Sequence, residues 1–419
     1  MLTSLQIAHT LGQRPLRRKE VTDHMTTFTA SRTTGWFSAA DCSIADFASV
    51  VGQQTHLSDY AYADAVELNV LIYGEKLRAA IGTTSGRTAV QTELMRAMTD
   101  GPGIVVFKQA FGDLSAVDRA TDAFLAQIAA EKAAGVAGGD HFAKPGANDR
   151  VWGALDKLAV SQPAVFADYY ANDIIALISE AWLGPDYQVT SQVNVVNPGG
   201  QAQIAHRDYH LGFMDAAASA RFPVQVHRLS PALTLQGAVA HCDMPVETGP
   251  TLYLPYSHQY EPGYLAFHLP EFTEYFQQNY TQLPLEKGDA AFFNPALFHG
   301  AGTNISTDIR RTANLLQVSS AFGRAMETVD RVAMCRALFP VLMAKKLAGA
   351  SERHLNNIIA ASAEGYAFPA NLDLDQPIGG LAPQTQADLV RQAVAEDWTA
   401  EAFESALDAQ ASRSRPNGG

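Results

Sequence analysis

The feature that most narrows the fold is a series of short β-rich runs, each ended by turn residues, between about residues 187 and 322. They fall at 187–196, 203–209, 233–240, 251–254, 290–293 and 310–318. Runs so spaced predict an antiparallel barrel or sandwich rather than alternating β-α units. On either side the apolar period changes to three and four residues, the spacing of helices. Before the β-rich part, helical patterning covers 45–51, 63–81, 118–134, 152–158 and 164–183. One interruption stands out: Gly101-Pro102-Gly103 breaks the chain ahead of Ile104-Val105-Val106-Phe107, which reads as a buried strand. A glycine-rich polar loop over 135–149 carries Asp140, His141 and Lys144. After Arg324 helical patterning returns at 326–350, 353–361, 384–395 and 400–409. The expectation is a mainly-β core with α, wrapped by N- and C-terminal helices.

A chain of 419 residues that is 47% hydrophobic and 17% charged can bury a large core. Its 43 acidic residues against 30 lysines and arginines leave a net charge of −13. That balance argues against sequence-independent nucleic-acid binding and against an anionic membrane surface, but permits a small-molecule partner. Cys42, Cys242 and Cys335 are scattered, without metal or disulfide spacing, which points to a reducing, cytoplasmic setting. No apolar run spans a bilayer. The first residues hold Arg14, Arg17, Arg18 and Lys19 without an apolar stretch, so a flexible extension over 1–35 is expected and a secretory signal is not. Assembly into a homo-oligomer stays open.

Within the β-rich part, His206-Arg207-Asp208 places two metal-ligating side chains at i and i+2, on one face of an expected strand, with Arg207 turned the other way. A third ligand, His299, follows the turn Gly288-Asp289 and the run Ala290–Phe293. Two imidazoles and one carboxylate are the ligand set of a non-haem Fe(II) centre with free positions. The same pattern recurs at His241-Cys242-Asp243, but Pro245 and Glu247-Thr248-Gly249-Pro250 close behind it suggest a strand end. Arg310, beginning the run after His299, discriminates among chemistries, because a guanidinium there could grip a carboxylate cosubstrate in two-pronged fashion. A zinc hydrolase with the same three ligands would have no need of it. That reading, and a barrel that binds without turnover, stay open at this point. Gln192 and Asn194 alternate on the preceding strand as candidates to hydrogen-bond the cosubstrate. Tyr209, His210 and His141 are candidates to face substrate, and His258 to stabilise a loop.

Several segments in order resemble one known family. They are Asn197-Pro198-Gly199-Gly200, Ala205-His206-Arg207-Asp208-Tyr209-His210, Met244-Pro245-Val246-Glu247-Thr248-Gly249-Pro250, Leu254-Pro255-Tyr256-Ser257-His258, Gly288-Asp289, His299-Gly300-Ala301-Gly302-Thr303-Asn304 and Arg310-Arg311. Together the chain resembles the phytanoyl-CoA dioxygenase family of Fe(II)/2-oxoglutarate oxygenases. The resemblance implies a double-stranded β-helix, a jelly-roll or cupin-like barrel, over 187–323. The terminal parts lie outside the resemblance; patterning alone gives a helical part with the first strand of the catalytic domain (36–186), a helical region (324–411) and a disordered tail (412–419). The resemblance also implies His206, Asp208 and His299 as iron ligands, Arg310 as the 2-oxoglutarate anchor, and O2 as the second cosubstrate. A carboxylate, Asp208, in the place a halide would need favours hydroxylation, and the lack of a basic groove for a CoA moiety favours a small or medium-sized metabolite as substrate. Tyr256, where the family often has glycine, and Thr248, where asparagine is common, are departures that touch no ligand.

Overall fold

The computed structural model describes residues 35–135 and 146–416; residues 1–34 of the expected extension, and the loop residues Asp140, His141 and Lys144, lie outside them. The described strands are β1 (Ala65–Glu67), β2 (Val70–Tyr73), β3 (Ile104–Phe107), β4 (Asn148–Val151), β5 (Gln188–Val196), β6 (Thr234–Ala240), β7 (Leu252–Leu254), β8 (Thr281–Gln282), β9 (Ala290–Phe293), β10 (Phe298–Gly300) and β11 (Arg311–Ser319). They form two sheets, one in the order β1-β2-β3-β9-β6-β11-β5-β4 and one in the order β10-β7-β8. All pairs are antiparallel except β2 with β3. The sheets are those of a jelly roll, but among the described residues they do not join edge to edge into a closed barrel.

The sequence of each strand explains which faces it covers. β2, β3 and β9 are apolar throughout because both of their faces are buried. Leu71, Tyr73, Val105, Phe107, Ala290 and Phe292 enter the main core with the helices. The alternating Val70, Ile72, Ile104, Val106, Ala291 and Phe293 pack with Tyr253, Leu283 and Leu297 around the small sheet. β5, β6 and β11 behave differently. Val189, Val193, Val195, Leu235, Val239, Leu316 and Val318 join the main core, whereas the intervening Gln192, Asn194, Gln236 and Gln317 make the opposite, inner face polar. A polar surface in the middle of a protein is costly unless something engages it.

Helices cover the outer face of the large sheet. Residues of Leu114–Ala133, Ala154–Ser161, Pro163–Tyr170, Asp173–Leu183, Arg331–Leu347, Glu352–Ser362, Gln386–Ala395 and Ala400–Arg413 share one core with it. The last helices are tied in by aromatic packing, Phe339 stacking on Phe403 with centroids 4.1 Å apart. No helix among the described residues is long and apolar enough to cross a membrane.

Three local expectations change. The helical period over 63–81 is interrupted by Leu68 and Asn69, both at positive φ (49° and 67°), the two-residue turn that a twisted hairpin favours. It joins β1 to β2, and only Glu75–Ala80 of that stretch is helical. The 203–209 run is not a strand: it meets β10 through one bridge, His206 with His299. The glycine-rich loop ends earlier than expected, because Asn148–Val151 pairs with β5.

Candidate metal centre

His206 and His299 exchange backbone hydrogen bonds, His206 N to His299 O at 2.9 Å and His299 N to His206 O at 3.1 Å. Asp208 N donates to Pro295 O at 2.9 Å. This short extended segment therefore keeps the i, i+2 alternation without a full strand. Arg207 points behind it, 2% exposed. Its guanidinium donates to the carbonyls of Ser257 at 2.6 Å and Tyr260 at 2.9 Å and lies over the rings of Tyr264 and Phe298. That buried side chain anchors the backbone between the two ligands.

Ligand atoms of His206, Asp208 and His299 all lie within 4.8 Å of one another. His299 Nε2 is 3.6 Å from Asp208 Oδ2, and His206 Nε2 is 3.9 Å from Oδ1. Two atoms each about 2.1 Å from one ion lie at most about 4.2 Å apart, so both separations suit a shared metal. Each histidine Nδ1 lies 2.8 Å from a carbonyl, that of Ile204 for His206 and that of Leu297 for His299. A carbonyl only accepts, so Nδ1 carries a proton, and Nε2 is the ring nitrogen turned toward Asp208 and left to hold a metal. Gln236 Nε2 donates to Asp208 Oδ2 at 2.6 Å, orienting the carboxylate. Burial, reinforced by the charge of His299, holds His206 below the ordinary imidazole range. Burial pushes the Asp208 carboxyl up, but His299, His206 and Gln236 outweigh it and bring it down to about 2. A carboxylate and neutral imidazoles are the forms that bind metal. The donor set fits Fe(II).

The expected anchor is placed elsewhere. Arg310 is exposed, and its guanidinium reaches Asn197 Oδ1 and Asp149 Oδ2, each at 3.1 Å. It is the next residue that enters the interior. Arg311 is 7% exposed and has the parity of Gln317 on β11. It donates to the carbonyls of Thr248 at 3.1 Å and Gly302 at 3.4 Å. Burial lowers its guanidinium to about 10. The reason is strand parity, since adjacent residues face opposite sides of a sheet.

Gln192 and Asn194 both lie on the inner face of β5. Gln192 Oε1 accepts from Arg150 Nη1 at 3.2 Å, and Asn194 Oδ1 from Asn148 Nδ2 at 3.4 Å. Tyr209 is 4% exposed, its hydroxyl has no partner among the described residues, and its ring meets Phe213 edge-on. His210, at φ 45°, has Nδ1 3.1 Å from Ser230 Oγ, outside the ligand cluster. His141 lies outside the described residues. The rival His241 sits on the opposite face of the sheet, with Nδ1 2.8 Å from Thr121 Oγ1 and Nε2 2.9 Å from Tyr169 OH. Both of its nitrogens are engaged. His258 Nε2 lies 3.1 Å from Thr99 O, and its ring packs on Gly103, where an added Cβ would come within 2.4 Å of it. Gln236, Arg311, Gln317 and Arg150 were not singled out from the sequence. The available signal was Gln236 interrupting the largely apolar run of β6; Gln317 shares β11 with Arg311, Thr312, Asn314 and Ser319 and gives none.

The family model of phytanoyl-CoA dioxygenase matches residues 94–312, more than half of the chain. Among curated proteins there is no match. Solved structures that are similar include the non-heme alpha-ketoglutarate-dependent epimerase SnoN of nogalamycin biosynthesis, 24% identical over 56% of this chain and 82% of its own, with a TM-score of 0.38. The carbocyclase SnoK of the same biosynthesis is 19% identical over 56% and 86%, with a TM-score of 0.38. HygX from Streptomyces hygroscopicus, with nickel, 2-oxoglutarate and hygromycin B bound, is 15% identical over 56% and 90%, with a TM-score of 0.40. The chain belongs to the phytanoyl-CoA dioxygenase family, and so to the Fe(II)- and 2-oxoglutarate-dependent oxygenases.

Proposed function

We propose that this member of the phytanoyl-CoA dioxygenase family hydroxylates an unactivated C–H bond of a small or medium-sized metabolite, releasing succinate and CO2. The observation that carries the reading is the meeting of His206, Asp208 and His299, with both Nε2 atoms and one carboxylate within 4.8 Å of one another. When bound there, Fe(II) and 2-oxoglutarate supply, with O2, the oxidising power that breaks the C–H bond.

The protein's own part is geometry and charge. His206, Asp208 and His299 would hold the metal and leave its remaining positions open to cosubstrate and O2. Gln236 and the carbonyls of Ile204 and Leu297 hold the three side chains in place before any ligand arrives, so little reorganisation is needed. Arg311, buried with only carbonyl partners, would pair with the distal carboxylate of 2-oxoglutarate; a planar fork in a water-poor interior suits a two-pronged ion pair. Phe293, edge-on to His299 at 4.7 Å, and Tyr253, opposite His299 in register, keep water from that side. Asp208 also bears on the outcome, because a carboxylate in the third ligand position leaves no place for a halide, which favours hydroxylation over halogenation.

The test is O2-dependent succinate release by the purified protein with Fe(II), ascorbate and 2-oxoglutarate over a substrate panel, with mass spectrometry of the product. The expected product gains one oxygen. A product formed without O2 or succinate would instead indicate a metal hydrolase. His299→Ala should lose tight Fe(II) binding, measured by metal content after desalting.

A further inference from the structure

Beside the triad, the inner face of the large sheet carries polar atoms that the protein itself does not satisfy. Among the described residues, Tyr209 OH, Thr234 Oγ1, Gln236 Oε1, Gln317 Oε1 and Glu327 Oε2 are buried without a hydrogen-bond partner. Tyr209, Thr234 and Gln317 are 4%, 2% and 7% exposed. Native proteins pair nearly all such atoms, so several in one place call for an explanation.

They are also neighbours. Gln236 and Gln317 are register partners on β6 and β11 and share a face. Thr234 lies two residues earlier on that face of β6. The amide of Gln236 is oriented by its bond to Asp208, which leaves Oε1 as the free acceptor. Tyr209 follows Asp208 directly, and the charges of both Asp208 and Glu327 bear on its hydroxyl. Glu327 Oε1 accepts from Gly153 N at 3.0 Å, while its second oxygen is unmatched. Burial pushes that carboxyl up. Gln192, whose Nε2 lies 3.9 Å from Met326 Sδ, sits beside Glu327 without a hydrogen bond to Oε2. The unmatched atoms are two amide oxygens and a carboxylate oxygen, which accept, and two hydroxyls, which both donate and accept. An aliphatic chain laid here would leave all of them unmatched.

Resting on the oxygenase reading above, we propose that the substrate is a compact molecule rich in hydroxyl or amino groups, not an acyl chain. Gln236, Gln317 and Tyr209 read its donors next to the reacting carbon, and Glu327 receives a donor at the far end of that polar face. A site built to hydrogen-bond its substrate rejects the analogue that lacks those groups far more strongly than an apolar pocket rejects an added one.

The experiment uses the Fe(II)- and 2-oxoglutarate-loaded enzyme and follows succinate with two probe sets, glucosamine and myo-inositol against octanoate and octanoyl-CoA. Stimulation over the substrate-free rate by the first set and not the second is expected. In Gln317→Leu and in the shape-conserving Glu327→Gln, KM for the stimulating probe should rise roughly tenfold per lost hydrogen bond, with kcat changed much less. Stimulation by the acyl probes, or by neither set, would overturn the assignment while substrate-free succinate release still upholds the oxygenase. Loss of kcat at unchanged KM in both variants would overturn it as well. Absence of any succinate, with or without probes, instead removes the oxygenase reading on which the proposal rests.

Discussion

Arg311 and Asp208 are charges that folding leaves inside this protein, and they are held in different ways. Asp208 has two imidazoles and an amide around it. Arg311 has only carbonyls, and among the described residues no carboxylate lies within ion-pairing distance of it. A buried guanidinium without a counter-charge is costly, and an anionic cosubstrate would relieve that cost. Arg311→Met should therefore raise KM for 2-oxoglutarate by roughly tenfold to a hundredfold, since charge-assisted bonds contribute about 1.5–3 kcal/mol. Arg310→Met, on the exposed side, should change KM by less than about twofold. Initial rates of succinate formation against 2-oxoglutarate concentration separate the two, and equal effects would return the anchor to Arg310. His241 gives a second expectation. Burial, with Lys287 nearby, holds its imidazole down to about 3, well below the unfolded value near 6.5. Its neutral form therefore contributes full stability above pH 6.5, and that contribution is lost as pH falls toward 3. At pH 5 the loss is about 2 kcal/mol. Urea unfolding at pH 7.5 and 5.0 should show His241→Asn with a shallower pH dependence by that amount; an unchanged slope would exclude His241 as the cause.

At the scale of elements, β6 and β9 show how tightly the sheet and its helices fit. Gly237 pairs with Phe292 in register, and a Cβ on Gly237 would come within 2.3 Å of that ring. Gly237→Ala should destabilise by about 1–3 kcal/mol through overpacking, and Phe292→Ala by about 3–5 kcal/mol through the cavity it leaves. In the double variant the alanine at 237 has room, so the two costs should fall short of their sum in a double-mutant cycle. Strict additivity would mean that the two side chains do not compete for the same space. The strands that local pattern identified are β3, β5, β6, β7, β9 and β11, because alternation and flanking turns are short-range signals. β2 was hidden because Val70-Leu71-Ile72-Tyr73 also continues a helical period, and pairing with β3 decided the matter. The segment around His206 was read as a strand because it is extended, although only His299 pairs with it.

For the whole molecule, the C-terminal helices are part of the core. Met334, Leu338, Leu355, Ile358, Leu389, Val390, Phe403 and Leu407 share a cluster with Val189, Val193 and Leu316 of the sheet. Truncation after Asp330 would expose that surface, so the shortened chain should be insoluble or lack the cooperative unfolding transition of the full one. A soluble, cooperatively folded product that still binds Fe(II) would show that the helices are dispensable.

What the sequence by itself determined is the kind of protein: a β core between helical flanks, a two-histidine, one-carboxylate motif, and family membership. These follow from residue type and local spacing, which survive without knowledge of neighbours in space. Only the tertiary structure decided which side of each strand faces the centre. It turned Arg311 inward and Arg310 outward, put His241 on the far side of the sheet, and gathered Gln236, Gln317 and Tyr209 beside Asp208. The physical reason is that a period of two defines two faces equally well, and which one is interior depends on pairing partners distant in the chain.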